Sequence, residues 1–451
     1  MSVLPYPAYK ESGVEWIGRI PVGWTVLSLK RDMEFLTSGS RGWAEHYADD
    51  GALFIRIGNL TRDGLGLDLS DIQRVTVPAG PEGERTRVRA GDVLFSITAF
   101  MGSVAVVPYG TEPAYVSQHV ALARIRGDLL SPKWVGYSTL SSAGKAYLDA
   151  QCYGGTKIQL SLDDVANLPI AVPPLDQQRV ITAFLDRETG KIDALVAEQE
   201  RLMALLKEKR QAVISQAVTK GLNPYAKMKP SGVEWLGEVP AHWRCARLKH
   251  IVGGITVGVV VMPSQYYADE GVPALRGVNV REMAVSLDNL VYFDDASNRM
   301  LEKSMLRADD LVCVRTGKPG TTAIVGPELD GANCIDLIVI RRSCEFDSRF
   351  MAYVMNSDVC RIQYVLGSEG AMQQHFNVET AGNLELALPA KGEQKEIALF
   401  LDRMTDEIDV LAREATRAIA LLKERRAALI SAAVTGKIDV RDLAAAAQAA
   451  A

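Results

Sequence analysis

Residues 12–30 read SGVEWIGRIPVGWTVLSLK and residues 231–249 read SGVEWLGEVPAHWRCARLK, so one segment is written twice at an offset of 219. A second pair, 177–222 against 393–438, repeats at an offset of 216, and both pairs belong to a single duplication. Solenoid units run about 20–50 residues, far shorter than this period, which therefore predicts two domains built to one plan. With 451 residues in all, each copy has enough chain for its own core.

Each tryptophan segment is followed by short apolar runs broken by Gly, Pro, Asn and Asp, which read as strands and loops. The strongest strand candidates are 53–57, 92–97, 104–107 and 120–125 in the first copy, and 273–275, 310–314, 322–325 and 337–341 in the second. GDVLFSITAFMGSVAVV (91–107) corresponds to DDLVCVRTGKPGTTAIV (309–325). The strand cores agree while the turns between them differ.

The periodicity then changes to that of a heptad helix. Ile397, Leu401, Met404, Ile408, Leu411, Ala415, Ala418, Leu422 and Leu429 alternate at four and three, interrupted at Arg425. Ile181, Leu185, Ile192, Leu195, Leu202, Leu206 and Val213 follow the same seam, interrupted at Glu188, Gln199 and Lys209, so a basic residue breaks the seam at equivalent places. Pro173, Pro174 and Asp176 mark the first start, and Gly221 and Gly436 the ends. About 40 residues at 1.5 Å each give a rod of roughly 60 Å. Gly221 to Ser231 reaches at most about 35 Å, so the second globular domain begins near the far end of the first helix and feeds the second. Helices paired within one chain then run antiparallel, with a pseudo-two-fold between the halves. The expected fold is α+β: strand-rich mixed α/β domains at 1–175 and 223–390, long antiparallel coiled-coil helices at 176–222 and 391–438, and an Ala-rich tail at 439–451.

Net charge is −5, so bulk charge does not mark a nucleic-acid binder; any grip on a polyanion must come from local clusters. There is neither an apolar run of about 18 residues nor an N-terminal signal segment, and the expected location is the cytoplasm, with no membrane partner. The six cysteines include no CxxC pair and the five histidines no ligand spacing, so no metal site is expected.

The paired openings SGVEWIGRIP and SGVEWLGEVP, the GDVL and DDLV segments, the helix starts NLPIAVPPLDQQRVITAFLD (167–186) and NLELALPAKGEQKEIALFLD (383–402), and the endings LLKEKRQAVISQAVTKG and LLKERRAALISAAVTGK together resemble the specificity subunits of Type I restriction-modification systems. The resemblance covers all but the Ala-rich tail. It implies two target recognition domains, each reading half of a split, asymmetric site on double-stranded DNA, with the helices setting the gap. It further implies docking of two methyltransferase subunits and recruitment of restriction/translocase subunits. S-adenosylmethionine, ATP and Mg would belong to those partners, with no cofactor bound by this chain. A rod of this size suits major-groove faces about 34 Å apart.

A reader of duplex DNA needs Arg or Lys for guanine and Asn or Gln for adenine. The loop RTGKPGT (315–321) offers Arg315, Thr316 and Lys318 between glycines that allow close approach to phosphate. Its counterpart ITAFMGS (97–103) contains no basic residue, so the first domain is expected to grip differently. Lys157 and Gln159, matched by Gln373 and His375 with Gln374 between, form a second set. Arg56, Asn59, Arg276 and Asn279 are shared by both copies, and Gln118 and His119 lie at a strand start. On the helices, Lys207, Lys209 and Arg210 with Lys423, Arg425 and Arg426 could meet phosphates or a partner subunit, although solvated faces are the ordinary fate of such runs. Trp16, Trp24, Trp235 and Trp243 read as structural anchors, since base stacking belongs mainly to single strands.

Catalytic readings fare poorly. VPPL and NPY do not fit the [DNS]PP[YFW] pattern expected of an adenine methyltransferase, GKPGT lacks the P-loop spacing, and the ExK string at Glu393 and Lys395 has the twins Gln177 and Arg179. The expectation is a non-catalytic subunit; a DNA-binding scaffold of another defence complex is the alternative.

Overall fold

The computed structural model describes residues 5–39, 41–78, 80–153, 158–366 and 376–441. Two compact units divide the chain: 1–200 with 416–451, and 201–415. The division cuts across both long helices, Leu175–Lys220 and Lys391–Val434, so each unit owns part of each helix.

In the first unit a four-stranded antiparallel sheet takes the order Met33–Ser38, Val120–Ile125, Val93–Ser96, Val104–Val106. The second unit repeats it with Ile255–Val257, Leu337–Ile340, Leu311–Val314 and Thr322–Ile324. The central strands are almost wholly apolar, Ser96 and Arg124 being the exceptions, because both sheet faces are covered. Val93 and Phe95 point into one core and Leu94 into another; Leu311 and Cys313 are likewise separated from Val312 and Val314. A smaller sheet in each unit adds one parallel pairing, Ala114–Val116 on Ala52–Ile55 and Asn333–Cys334 on Val272–Leu275.

One buried ion pair braces each central sheet. Asp92 accepts from Arg124 Nε at 2.9 Å and Nη2 at 2.7 Å, and also from the Arg89 amide at 2.7 Å. Asp310 accepts from Arg341 Nη1 at 2.6 Å and from the amides of Arg342 and Arg307 at 3.0 and 3.1 Å. Both carboxylates lie in the interior, where amides and a guanidinium satisfy them as burial requires.

Trp24 and Trp243 are buried anchors, whereas Trp16 is partly exposed at the edge of the Tyr147 ring and Trp235 is half-buried. Trp24 meets Trp134 edge-on, and Trp134 Nε1 donates to the Ala171 carbonyl at 2.9 Å. Within the first unit Ile181 and Leu185 share a core with Ile430 and Val434, while Asp193, further along, pairs with Arg426. The helix segments of that unit therefore run antiparallel. In the second unit Ile214 and Val218 share a core with Ile397 and Leu401, and Arg210 pairs with Asp409.

The buried stripe follows much of the seam read off the sequence, with Ile181, Leu185, Ile192, Leu206, Ile397, Leu401, Ile408 and Ala415 all buried, and departs from it at particular positions. Leu195, Leu202 and Leu411 are exposed, as are Lys209 and Arg425. Thr189, Thr405 and Arg426 are buried, and Arg210 is largely covered. The basic residues turned inward are thus Arg210 and Arg426, each one after the Lys209 and Arg425 that the sequence reading put on the seam. The departures fall where polar residues with partners share the inner stripe.

The chain ends close on the first unit. Gly436, at φ +72°, turns against Pro21 and Trp24, Val440 is buried, the Tyr9 hydroxyl donates to the Lys437 carbonyl, and the Arg441 guanidinium lies 5.0 Å from the Tyr6 ring centre.

Candidate nucleic-acid interface

In the second unit the loop 315–321 emerges from strand Leu311–Val314 and turns at Gly317 and Gly320, both at positive φ. A side chain at Gly320 would strike the Tyr364 ring, so the tight turn requires glycine there. Arg315 is not free. Its Nη1 donates to Asp336 Oδ1 at 2.6 Å and its Nε to the Phe376 carbonyl at 3.4 Å, leaving the side chain 19 % exposed. Thr316 and Lys318 are exposed, so Lys318 carries the outward cation of this loop and Arg315 holds its base. The Phe376 amide donates back to Arg315, which ties the segment after residue 375 to the loop. Gln373, Gln374 and His375 themselves lie outside the described residues.

The first unit builds the matching apex from other side chains. The Ile97 amide donates to His119 and the Leu160 amide to Ile97, while Thr98 bridges Gln159. The loop 97–103, the Gln118–His119 pair and exposed Gln159 therefore converge. Gln118 Nε2 and His119 Nε2 approach to 3.0 Å. Lys157 lies outside the described residues. The loop has no basic residue of its own, yet Arg62 stacks on the half-exposed Phe100 ring with its guanidinium 4.0 Å from the ring centre. Gly102 packs beside the Lys145 side chain. Neither cation was legible in the sequence, because each comes from a distant segment through a non-periodic contact.

Arg56, Asn59, Arg276 and Asn279 belong to a different feature. Asn59 Oδ1 accepts from the Arg56 amide at 2.9 Å, and its Nδ2 donates to the carbonyls of Asp68 and Asp71 at 2.8 and 3.0 Å. Asn279 does the same with Arg276, Ser286 and Asp288. Both asparagines are buried, so they clamp a loop and present no amide edge to a base. Arg56 pairs with Asp71 at 2.8 Å and Arg276 Nη2 donates to the Asn289 carbonyl at 2.6 Å, while both Nε atoms are buried without a partner among the described residues.

On the helices, Lys207, Lys209, Lys423 and Arg425 are exposed, whereas Arg210 and Arg426 are held by carboxylates. Near these pairs the same Tyr–Asp–Thr trio recurs in both units. Tyr137 donates to Asp186 at 2.8 Å beside Thr189, and Tyr353 donates to Asp402 at 2.8 Å beside Thr405. Burial pushes both phenols well above their ordinary range. Glu393 of the ExK string accepts from Trp243 Nε1 at 3.1 Å and meets His242 Nε2 at 2.9 Å, a structural helix-start arrangement. Among the described residues no His, Cys, Asp and Glu group could hold a metal ion, and no helix is long and apolar enough to cross a membrane.

Residues 52–202 match the family model of the Type I restriction modification DNA specificity domain. The chain is 24 % identical over 338 residues to the Type I restriction enzyme EcoBI specificity subunit of Escherichia coli, covering 73 % of this chain and 70 % of that one. It is 23 % identical over 455 residues to the StySPI specificity subunit of Salmonella potsdam, covering 93 % and 90 %. A solved structure from work on assembly and conformational transition of the type I R-M system superposes with a TM-score of 0.70 at 18 % identity, covering 93 % of this chain and 99 % of that one.

Proposed function

We propose that this chain, which carries the DNA specificity domain of type I restriction-modification systems at residues 52–202, is the sequence-recognition subunit of such a system and performs no chemistry itself. Residues 1–175 and 223–390 act as two target recognition domains, each reading one half of a bipartite asymmetric site on double-stranded DNA. The helical segments 176–222 and 391–438 form an antiparallel coiled coil that fixes the gap and docks two methyltransferase subunits. Those partners methylate adenine with S-adenosylmethionine, and ATP- and Mg-dependent restriction subunits join the complex in the cytoplasm.

The observation that supports this reading is the contrast between a repeated scaffold and unlike apices. Sheet order, buried ion pair, loop clamp and helix pairs recur in both units. The apices carry Lys318 with Arg315–Asp336 in one unit and Arg62–Phe100 with Gln118, His119 and Gln159 in the other. Unlike donors and acceptors on like frames suit two different half-sites, since base identity is read by side-chain type. The helix residues Lys207, Lys209, Lys423 and Arg425 serve as phosphate or partner contacts.

Sequencing methylated adenines in DNA from cells expressing this chain with a methyltransferase partner tests the proposal. A split motif with a fixed gap is expected, and a single uninterrupted motif would refute it. Adding seven residues at matched points of both helices should widen the gap by about 10 Å at 1.5 Å per residue and leave both half-motifs unaltered.

A further inference from the structure

The duplication supplies an internal template for a site that one copy fills and the other leaves open. In the second unit Glu282 Oε2 accepts from Arg210 Nη1 at 3.0 Å, and its Oε1 accepts from Arg361 Nη2 at 2.6 Å. Arg210 also faces Asp409 at 3.5 Å. The equivalent residues of the first unit, at the 216 offset, are Arg426, Lys145 and Asp193. Arg426 is 6 % exposed, and its Nε and Nη2 donate to Asp193 at 2.8 and 3.3 Å. Its Nη1, the atom whose twin binds Glu282, makes no hydrogen bond to any described residue.

The reason lies in the clamped loop. The bridges Leu60–Leu67 and Val280–Val285 enclose 61–66 in the first unit and the shorter 281–284 in the second. The place of Glu282 is taken by Gly64, whose added Cβ would stand 3.9 Å from Arg426 Nη2. A cavity of about 460 Å³ opens there between Gly64, Tyr137, Thr189, Asp193 and Arg426. Lys145, Lys423 and the loop carboxylate Asp63 line a small recess beside the same guanidinium.

We propose that Arg426, with Lys145 beside it, is an open seat for one carboxylate supplied by an acidic side chain of a docking protein. The template occupant is a glutamate, and it is tolerated beside Asp409 as an incoming one would be beside Asp193. The donor is recessed, within reach of a flexible side chain but not of a phosphate on a stiff duplex. Asp63, Asp186 and Asp193 around the cavity disfavour a polyanion further. Assigning the glutamate donor to a methyltransferase subunit rests on the function proposed above; the seat itself does not.

The test compares the full wild-type chain with Gly64→Glu, which brings the carboxylate from within, and Gly64→Ala, which alters the loop without charge. Binding to the purified methyltransferase subunit and to a target DNA duplex is measured separately. Gly64→Glu should melt no lower than wild type and bind the subunit about tenfold more weakly, the cost of about 1.4 kcal/mol expected for one charged hydrogen bond. Gly64→Ala should bind normally, and duplex affinity should be equal in all three. Equal subunit binding across the three chains overturns the proposal. A loss confined to duplex affinity assigns the anion to phosphate and overturns it too. If wild type binds no methyltransferase subunit, the functional reading fails, and the seat is judged by titrating N-acetylglutamate amide against the Arg426 side-chain NMR signal. That signal should move in wild type and not in Gly64→Glu; no movement in either chain overturns the seat.

Discussion

Asp310→Ala should unfasten the second unit while sparing the first. The carboxylate is fully buried, accepts three hydrogen bonds, and neutralises Arg341, whose remaining partners are the carbonyls of Met305 and Lys303 at 2.7 and 2.8 Å. Deleting one partner of a buried pair strands the other, at about 3–5 kcal/mol. With a urea slope of about 2–3 kcal/mol/M, the midpoint of that unit should fall by roughly 1–2 M. Hydrogen exchange resolved by peptide gives the sharper readout: amides of 311–314 should lose protection by a factor of about 10²–10³, while those of 93–96 keep theirs. The mirror variant Asp92→Ala should reverse the pattern. Replacing both partners, Asp310→Ala with Arg341→Met, should recover much of the loss, because an apolar pair leaves no charge unpaired. A cost under about 1 kcal/mol, or equal deprotection of both sheets, would refute this account of the pair.

Lys318→Gln should lower the salt slope of duplex binding by about 0.9, or roughly three- to fourfold in affinity between 50 and 200 mM salt, with folding unchanged; Arg315→Gln, by contrast, should loosen its own loop, seen as faster exchange at 315–321. Asn279→Ala removes three hydrogen bonds inside the clamped loop and should cost about 2–3 kcal/mol in urea unfolding, far more than an exposed reading residue would. Burial pushes the thiols of Cys313, Cys334 and Cys360 up to about 12, so at pH 8 they should resist alkylation in the native chain. Exposed Cys344 should react first, and mass mapping of labelled peptides checks the order.

The strands were legible because their apolar runs are continuous and bounded by turn residues, and the duplication was legible because scaffold residues are constrained by packing in both copies. The helix seam was legible only in part. Beside the buried Ile181, Leu185, Ile397 and Leu401, the inner stripe holds Thr189, Arg210, Thr405 and Arg426, and a hydrophobic reading cannot distinguish a paired arginine from a solvated one. The small mismatch between 3.5 and 3.6 residues per turn, about 20° per heptad, is enough to exchange neighbouring positions over such a length. In the candidate loops, the partners of individual side chains were not legible in the sequence. Arg315 read as a free donor and is anchored by Asp336, while Arg62, which the sequence did not single out, stacks on loop 97–103. Those pairings are set by tertiary approach, which leaves no periodic trace.

Within the first unit, Gly436, Lys437, Val440 and Arg441 pack on Tyr6, Tyr9, Pro21 and Trp24, so two stretches far apart in the sequence meet there by side-chain contact. In the second unit the equivalent stretch, 222–227, with Tyr225 almost fully exposed, runs along the chain into strand Met228–Pro230, so a junction that the first unit makes by packing is made there by the backbone itself.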